Sequence, residues 1–127
     1  MSILVDTSVW IEYFRNGNNF EQLDLIIDEN LVVTNNLILS ELIPFLKIRN
    51  QRKLVTLLNK VNKLEIDINW EQLTDYQYRC LKNGINGIGI PDLIIVQNAK
   101  QNHCAIYSLD KHFGLIKDML KIKLFDQ

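Results

Sequence analysis

The chain of 127 residues lacks what staples small proteins together: it has two cysteines, Cys80 and Cys104, and neither belongs to a CxxC pair or has a histidine partner nearby. This excludes a disulfide framework and a zinc cluster, and predicts two buried thiols in a reducing compartment. Charge of one sign is also lacking. Fourteen Lys and Arg stand against fifteen Asp and Glu, a net charge of −1, so no basic envelope exists to coat a nucleic acid. An enzyme that touches RNA through one local patch and bound cations remains open. Long hydrophobic runs are missing too. The longest late run, residues 93–96, is far too short to span a bilayer, and Asp6 interrupts the only apolar stretch at the N-terminus. No secretory leader and no membrane span are predicted, and the protein is expected to be soluble and cytoplasmic.

What is present suffices for a core. Apolar residues make up 47% of the chain, enough to stabilise one domain of this length, so residues 1–127 are read as a single domain. Short β-like runs alternate with longer stretches of helical spacing. Strands are predicted at 2–5, 31–34, 64–68, 104–107 and 122–125, and helices at 7–15, 20–28, 36–48, 51–62, 70–82, 91–102 and 111–119. Asn16-Gly17-Asn18 is expected to stop the first helix, and Pro91 to open the sixth. Three of the five glycines fall in one loop, 83–89, which lacks the Lys-Ser/Thr of a phosphate cradle and is read as a mobile connection. The alternation predicts an α/β sandwich around a mainly parallel sheet.

In such a sheet the working site lies at the carboxyl ends of the strands. Asp6 directly follows the first predicted strand and Asp110 comes just after the fourth. Glu41 lies in the helix after the second, and Asp92 in the first turn of the helix leading back to the fourth. Each alone has a bland reading: Asp6 and Asp110 as helix caps, Asp92 as a first-turn acid complementing the helix dipole. Glu41 is harder to dismiss, because helical spacing puts it on one face with Ile38, Phe45 and Ile48; Asp92 likewise shares a face with Ile95, Val96 and Ala99. A carboxylate on a core-facing stripe needs a partner, and Lys47 and Lys100 fall elsewhere on their helices. Several acids gathered without bases point to a hard divalent cation such as magnesium.

These residues resemble a family. Leu4-Val5-Asp6-Thr7-Ser8-Val9-Trp10-Ile11, Leu39-Ser40-Glu41-Leu42, Ile90-Pro91-Asp92-Leu93-Ile94-Ile95 and Tyr107-Ser108-Leu109-Asp110-Lys111-His112-Phe113 are similar, in order, to the four motifs of PIN-domain ribonucleases. The likeness is greatest to the toxin components of VapBC-type toxin–antitoxin pairs. The resemblance implies a PIN-like three-layer sandwich with the first and fourth strands adjacent, and a catalytic set of Asp6, Glu41, Asp92 and Asp110. It implies Mg2+ or Mn2+ held by Asp6, Asp92 and Asp110, with Thr7, Ser8 and Ser108 in support, and hydrolysis of RNA phosphodiesters by metal-activated water. A cognate antitoxin and a homodimer are expected partners, the dimer also because Trp10, Tyr13, Phe14 and Phe20 exceed what one small core easily hides. His112 departs from the family's pattern, which often has a further acid there.

Lys47, Arg49, Arg52 and Lys53 form a basic cluster beyond the Glu41 helix, read either as an RNA or partner contact or as an ordinary solvated helix junction. Arg15, Arg79, Lys82 and Lys111 are further candidates for substrate contact, while His103 is expected to serve a helix end. Other readings stay open. A PIN-domain nuclease for RNA processing without an antitoxin would share every motif. A receiver-type domain would want paired acids after the first strand, and a haloacid-dehalogenase-type phosphatase a second Asp where Ser8 stands. A binding module that had lost catalysis would be expected to lack one of the four acids.

Overall fold

The computed structural model describes residues 1–15 and 20–125. The predicted stop at Asn16-Gly17-Asn18 lies outside the described residues. Four strands form the sheet: β1 (Ile3–Val5), β2 (Val32–Thr34), β3 (Asn62–Lys63) and β4 (Ala105–Tyr107). Every residue of β1, β2 and β4 is buried, as their unbroken apolar or β-branched runs require of a parallel sheet covered on both faces. The order is β3-β2-β1-β4, and every pairing is parallel.

Parallel neighbours need crossovers, and helices supply them. Helices α1 (Thr7–Arg15) and α2 (Glu21–Asp28) lead from β1 to β2; α3 (Asn36–Ile48) and α4 (Arg52–Lys60) lead on to β3. Then α5 (Trp70–Lys82) and α6 (Ile90–Gln101) lead to β4, and α7 (His112–Leu120) follows it. The result is the expected helix-flanked parallel sheet, with β1 between β2 and β4. The register pairs Val5 with Tyr107 and Leu4 with Val33, so the residues after the three strands emerge side by side at one edge. A backbone hydrogen bond from Asp6 N–H to Tyr107 O (2.9 Å) closes that edge between β1 and β4.

The third strand departs from expectation. Leu64, Ile66 and Ile68 do alternate in burial with exposed Glu65 and Asp67, but the ladder has only two residues, Asn62 and Lys63. Leu64 N–H still bonds Thr34 O at 2.8 Å, after which β2 gives way to Asn35, the N-cap of α3, and no partner strand remains. Side chains of α6 satisfy the following backbone instead. Asn98 Nδ2 donates to Glu65 O, Gln101 Nε2 to Asp67 O, and the Gln97 amide both accepts from Asn69 N–H and donates to Asn69 O. The predicted strand at 122–125 is likewise reduced to one parallel bridge between Ile106 and Leu124.

The aromatic residues near the N-terminus belong to this chain's own core. Trp10 and Phe20 are buried, Tyr13 and Phe14 half-buried, and their rings meet in stacked and edge-on contacts at 5.6–6.2 Å between centroids. The surplus of apolar surface expected from these four residues does not exist. Cys80 and Cys104 are free, buried thiols, as read from the sequence.

Candidate functional site

Four acids meet at the carboxyl edge of the sheet, each delivered by a different element. Asp6 leaves β1 and is almost fully buried. Its backbone carbonyl starts α1, but its carboxylate does not cap that helix as the bland reading would have it. Oδ2 instead accepts hydrogen bonds from Ser8 Oγ (2.9 Å) and from Ser108 Oγ (2.8 Å) across the β1–β4 edge. Those hydroxyls in turn accept backbone N–H groups, Leu109 on Ser8 (3.1 Å) and Asp110 on Ser108 (3.0 Å). The serines thus tie Asp6 to the segment that carries Asp110. The buried hydroxyl of Thr7, by contrast, has no hydrogen-bond partner among the described residues.

Asp92 stands in the first turn of α6, half-buried, on the same face as buried Ile95, Val96 and Ala99. Its Oδ2 accepts Gly89 N–H at 3.2 Å, which caps the helix start. Asp110 gives one oxygen, Oδ1, to two donors of His112: the backbone N–H (2.9 Å) and ring Nδ1 (2.7 Å). The three aspartates therefore follow one rule. Each spends one carboxylate oxygen on the protein and keeps the other without a hydrogen bond among the described residues.

Glu41 corrects one expectation. The buried residues of α3 are Ile38, Leu39, Leu42 and Leu46, while Ile48 is exposed and Phe45 half-buried. Glu41 therefore lies beside the core stripe, exposed, on the flank that meets the other acids. The charges sense one another. Partial desolvation raises the pKa of Glu41, and the negative charges of Asp6 and Asp92 raise it further. Desolvation also raises that of Asp92; the Gly89 hydrogen bond opposes this, Asp110 and Asp6 add to it, and His112 pulls it back. All four acids thus share one electrostatic neighbourhood. Pro44, inside α3, has no N–H to offer the Ser40 carbonyl, so that oxygen lacks its regular helical partner next to Glu41.

This donor set fits a hard divalent cation. It is all oxygen, rich in negative charge, and its free oxygens belong to carboxylates already oriented by other hydrogen bonds, as ligating carboxylates usually are. Among the described residues no three Asp, Glu, His or Cys side chains form a ready-made cage.

The expected basic cluster is not part of this edge. Helix α3 starts at the acidic edge and runs away from it, so Lys47 and Arg49 lie roughly 9–12 Å farther along its axis than Glu41. There Lys47 and Arg52 line a cavity of about 430 Å³ with Asn50, Val55 and Thr56, and Arg49 stacks over Phe45 at 3.8 Å. Of the other cations, Arg79 is engaged with Met119 O at 2.7 Å, and Lys82 lies over the Tyr78 ring. His103 ends α6 in a left-handed conformation (φ 55°), in keeping with a helix-end role. Sequence reasoning missed Asn35, Asn98 and Gly89. Only Gly89 left a signal there, an N-cap glycine three residues before an acid.

Comparison with known proteins places these observations. A family model described as PIN domain matches residues 3–118. Among solved structures, a chain of DNA-bound VapBC from Salmonella typhimurium is similar at a TM-score of 0.78 and 16% identity, with 99% of this chain and 98% of that chain covered. A chain of DNA-bound VapBC2 from Rickettsia felis is similar at 0.76 and 19%, covering 98% of each chain. VapBC-1 from nontypeable Haemophilus influenzae follows at 0.71 and 20%, with 99% of this chain and 98% of that chain covered. At these identities the likeness establishes the fold. No curated protein sequence matches the chain significantly.

Proposed function

We propose, from the premise that this chain belongs to the PIN-domain family, that it is a divalent-cation-dependent endoribonuclease and the toxin of a toxin–antitoxin pair. The observation that carries the reading is the shared pattern of the acids: Asp6, Asp92 and Asp110 are each anchored through one oxygen and free at the other, with Glu41 on their flank. The free oxygens of Asp6, Asp92 and Asp110 are the groups to hold Mg2+ or Mn2+. When bound there, the cation supplies positive charge for the phosphate oxygens and makes a water molecule more acidic.

The protein's own residues do the rest. Ser8 and Ser108 hold the Asp6 carboxylate in place, and Gly89 N–H does the same for Asp92. Asp92 or Asp110 is the candidate to hold the attacking water or accept its proton, and whichever does so turns its free oxygen to the water rather than to the cation. Thr7 contributes at most through packing. The substrate class is single-stranded RNA or exposed RNA loops, and the basic tip of the α3–α4 hairpin, with Lys47, Arg49, Arg52 and Lys53, is a place for RNA or an acidic partner segment to lie.

Residues 1–127 are read as one nuclease domain acting in the cytoplasm; none of its described helices is long and apolar enough to cross a membrane. Three solved chains of the same fold come from VapBC complexes, which supports an antitoxin as partner. A homodimer is part of the reading, and the exposed Trp70, Tyr78 and Leu81 on one face of α5 offer a surface for the second copy.

The test is cleavage of an end-labelled RNA with Mg2+ or Mn2+. Water as nucleophile leaves the 2′-hydroxyl idle, so the products should end in 5′-phosphate and 3′-hydroxyl. Asp6→Asn or Asp92→Asn should lower the rate at least roughly a hundredfold. Full activity in excess chelator, or 2′,3′-cyclic phosphate products, would overturn the mechanism. Native purification should bring down a small partner, and its absence would remove the antitoxin.

A further inference from the structure

Two features are not absorbed by the proposed chemistry: the glycine-rich loop before α6 and His112. They meet. A Cβ built on Gly87 would lie 2.0 Å from His112 Nε2 and 2.4 Å from Cδ2, closer than any side chain tolerates. Yet Gly87 is not in the left-handed region; among the described glycines only Gly84 is, at φ 74°. Glycine at 87 is therefore what leaves room for the imidazole where it now stands, and a Cβ there would have to move the ring.

The loop is held firmly enough to enforce that contact. Gly84 ends α5, and Ile85 N–H reaches back to Cys80 O at 2.9 Å, the closing bond of a Schellman turn. Ile88 is buried, and Gly89 caps the Asp92 helix. A connection read from sequence as mobile is tied at both ends and pressed on His112 between them. On the other side of the ring, Nδ1 meets Asp110 Oδ1 at 2.7 Å. A carboxylate oxygen accepts only, so in this hydrogen bond Nδ1 is the nitrogen that carries the hydrogen.

We propose that His112 is a positioning residue for the cation site, locked by Gly87: its ring holds one oxygen of Asp110 so that the other stays free for the ion. The role rests on the nuclease reading of the four acids. A hydrogen-bonded partner behind a ligating carboxylate fixes its orientation, and losing such a partner typically weakens metal binding about 10–100-fold. His112 thus does through a hydrogen bond what an additional acid at its position cannot do, since an acid brings no donor.

The test is Mn2+ titration of the RNA-free protein by calorimetry, with thermal melts in chelator alongside. His112→Gln moves the donor away from the Nδ1 position and should weaken Mn2+ binding about tenfold or more; His112→Asn, whose amide N–H stands where Nδ1–H does, should restore it. Gly87→Ala should evict the imidazole and match His112→Ala in Mn2+ affinity, and should add nothing further in the Gly87→Ala/His112→Ala double variant. Gly87→Ala should also lower the melting temperature when made in the wild-type chain, but not when made in the His112→Ala variant. Wild-type affinity in folded H112Q and H112A, or additive losses in the double variant, overturns the proposal and leaves the nuclease reading standing. A wild-type protein that takes up no Mn2+ overturns that reading and this one with it.

Discussion

Asn35 donates its amide N–H to the amide oxygen of Asn98 at 2.9 Å, joining the start of the helix that carries Glu41 to the helix that carries Asp92. Both side chains are buried, and both are engaged at oxygen and at nitrogen: Asn35 Oδ1 caps α3 at Ile38 N–H, and Asn98 Nδ2 donates to Glu65 O. Two of the four acids thus owe their spacing to a polar pair deep in the molecule. Asn98→Ala leaves a buried amide and a backbone carbonyl without partners, and should cost roughly 1–3 kcal/mol by urea unfolding. Asn35→Ala should cost more, since the helix cap goes with it. A double variant as unstable as the sum of the singles would show that the pair is not coupled.

The acids themselves should tax the metal-free fold. Burial and neighbouring charge raise Glu41 above 4.5 and Asp92 above 3.8, so the folded chain binds these protons more tightly than the unfolded chain. Their contribution to stability is therefore fully present below those ordinary values and is lost as pH rises through the raised ones. In chelator, Asp92→Asn should melt no higher than wild type below pH 3.8, and higher than wild type at neutral pH. Mg2+ should raise the wild-type melting temperature at neutral pH and the variant's much less. A constant difference between the two proteins across this range would refute the electrostatic account.

Much of the architecture was legible because it rests on local pattern. The helices at 7–15, 36–48 and 70–82 appear with their predicted bounds, and the four acids stood out because Asp6 and Asp110 follow strands, Glu41 occupies a helix that a strand feeds, and Asp92 opens the helix that leads back to β4. What escaped notice depends on distant partners. The alternation of Leu64, Ile66 and Ile68 is real, but whether it becomes a strand depends on where β2 stops, and β2 stops because Asn35 caps a helix. Asn35 and Asn98 are 63 residues apart, and a polar residue on a buried helix face looks locally like any surface amide. The aromatic excess near Trp10 was misjudged because those rings pack on one another, which composition does not reveal.

Assembly makes a separate prediction. Trp70, Tyr78 and Leu81 remain 64%, 59% and 54% exposed, and helical spacing gathers them on one face of α5. If that face meets a second copy, Trp70→Glu should yield a monomer by analytical ultracentrifugation with an unchanged melting temperature. A wild-type monomer, or a Trp70→Glu dimer, would move the interface elsewhere or abolish it.

The serine pair offers the sharpest test of how Asp6 is held. Ser8 and Ser108 both donate to Oδ2, sit 3.3 Å apart, and each accept a backbone N–H from the segment leading to Asp110. Removing either hydroxyl leaves the other donor in place, so Ser8→Ala and Ser108→Ala should each cost roughly tenfold in kcat, acting through the orientation of Asp6. Removing both strips Oδ2 of its donors and leaves two N–H groups unanswered, so the double variant should lose more than the product of the singles. Ser108→Thr keeps the hydroxyl and should retain turnover. Thr7 is the contrast, because its hydroxyl is buried and has no partner among the described residues. Thr7→Val keeps the shape while removing an unsatisfied polar group, so it should leave kcat alone and hold or raise the melting temperature. Full activity in the double serine variant would mean that Asp6 needs no orienting hydroxyls, and a Thr7→Val protein as slow as that variant would assign the supporting role to the wrong side chain.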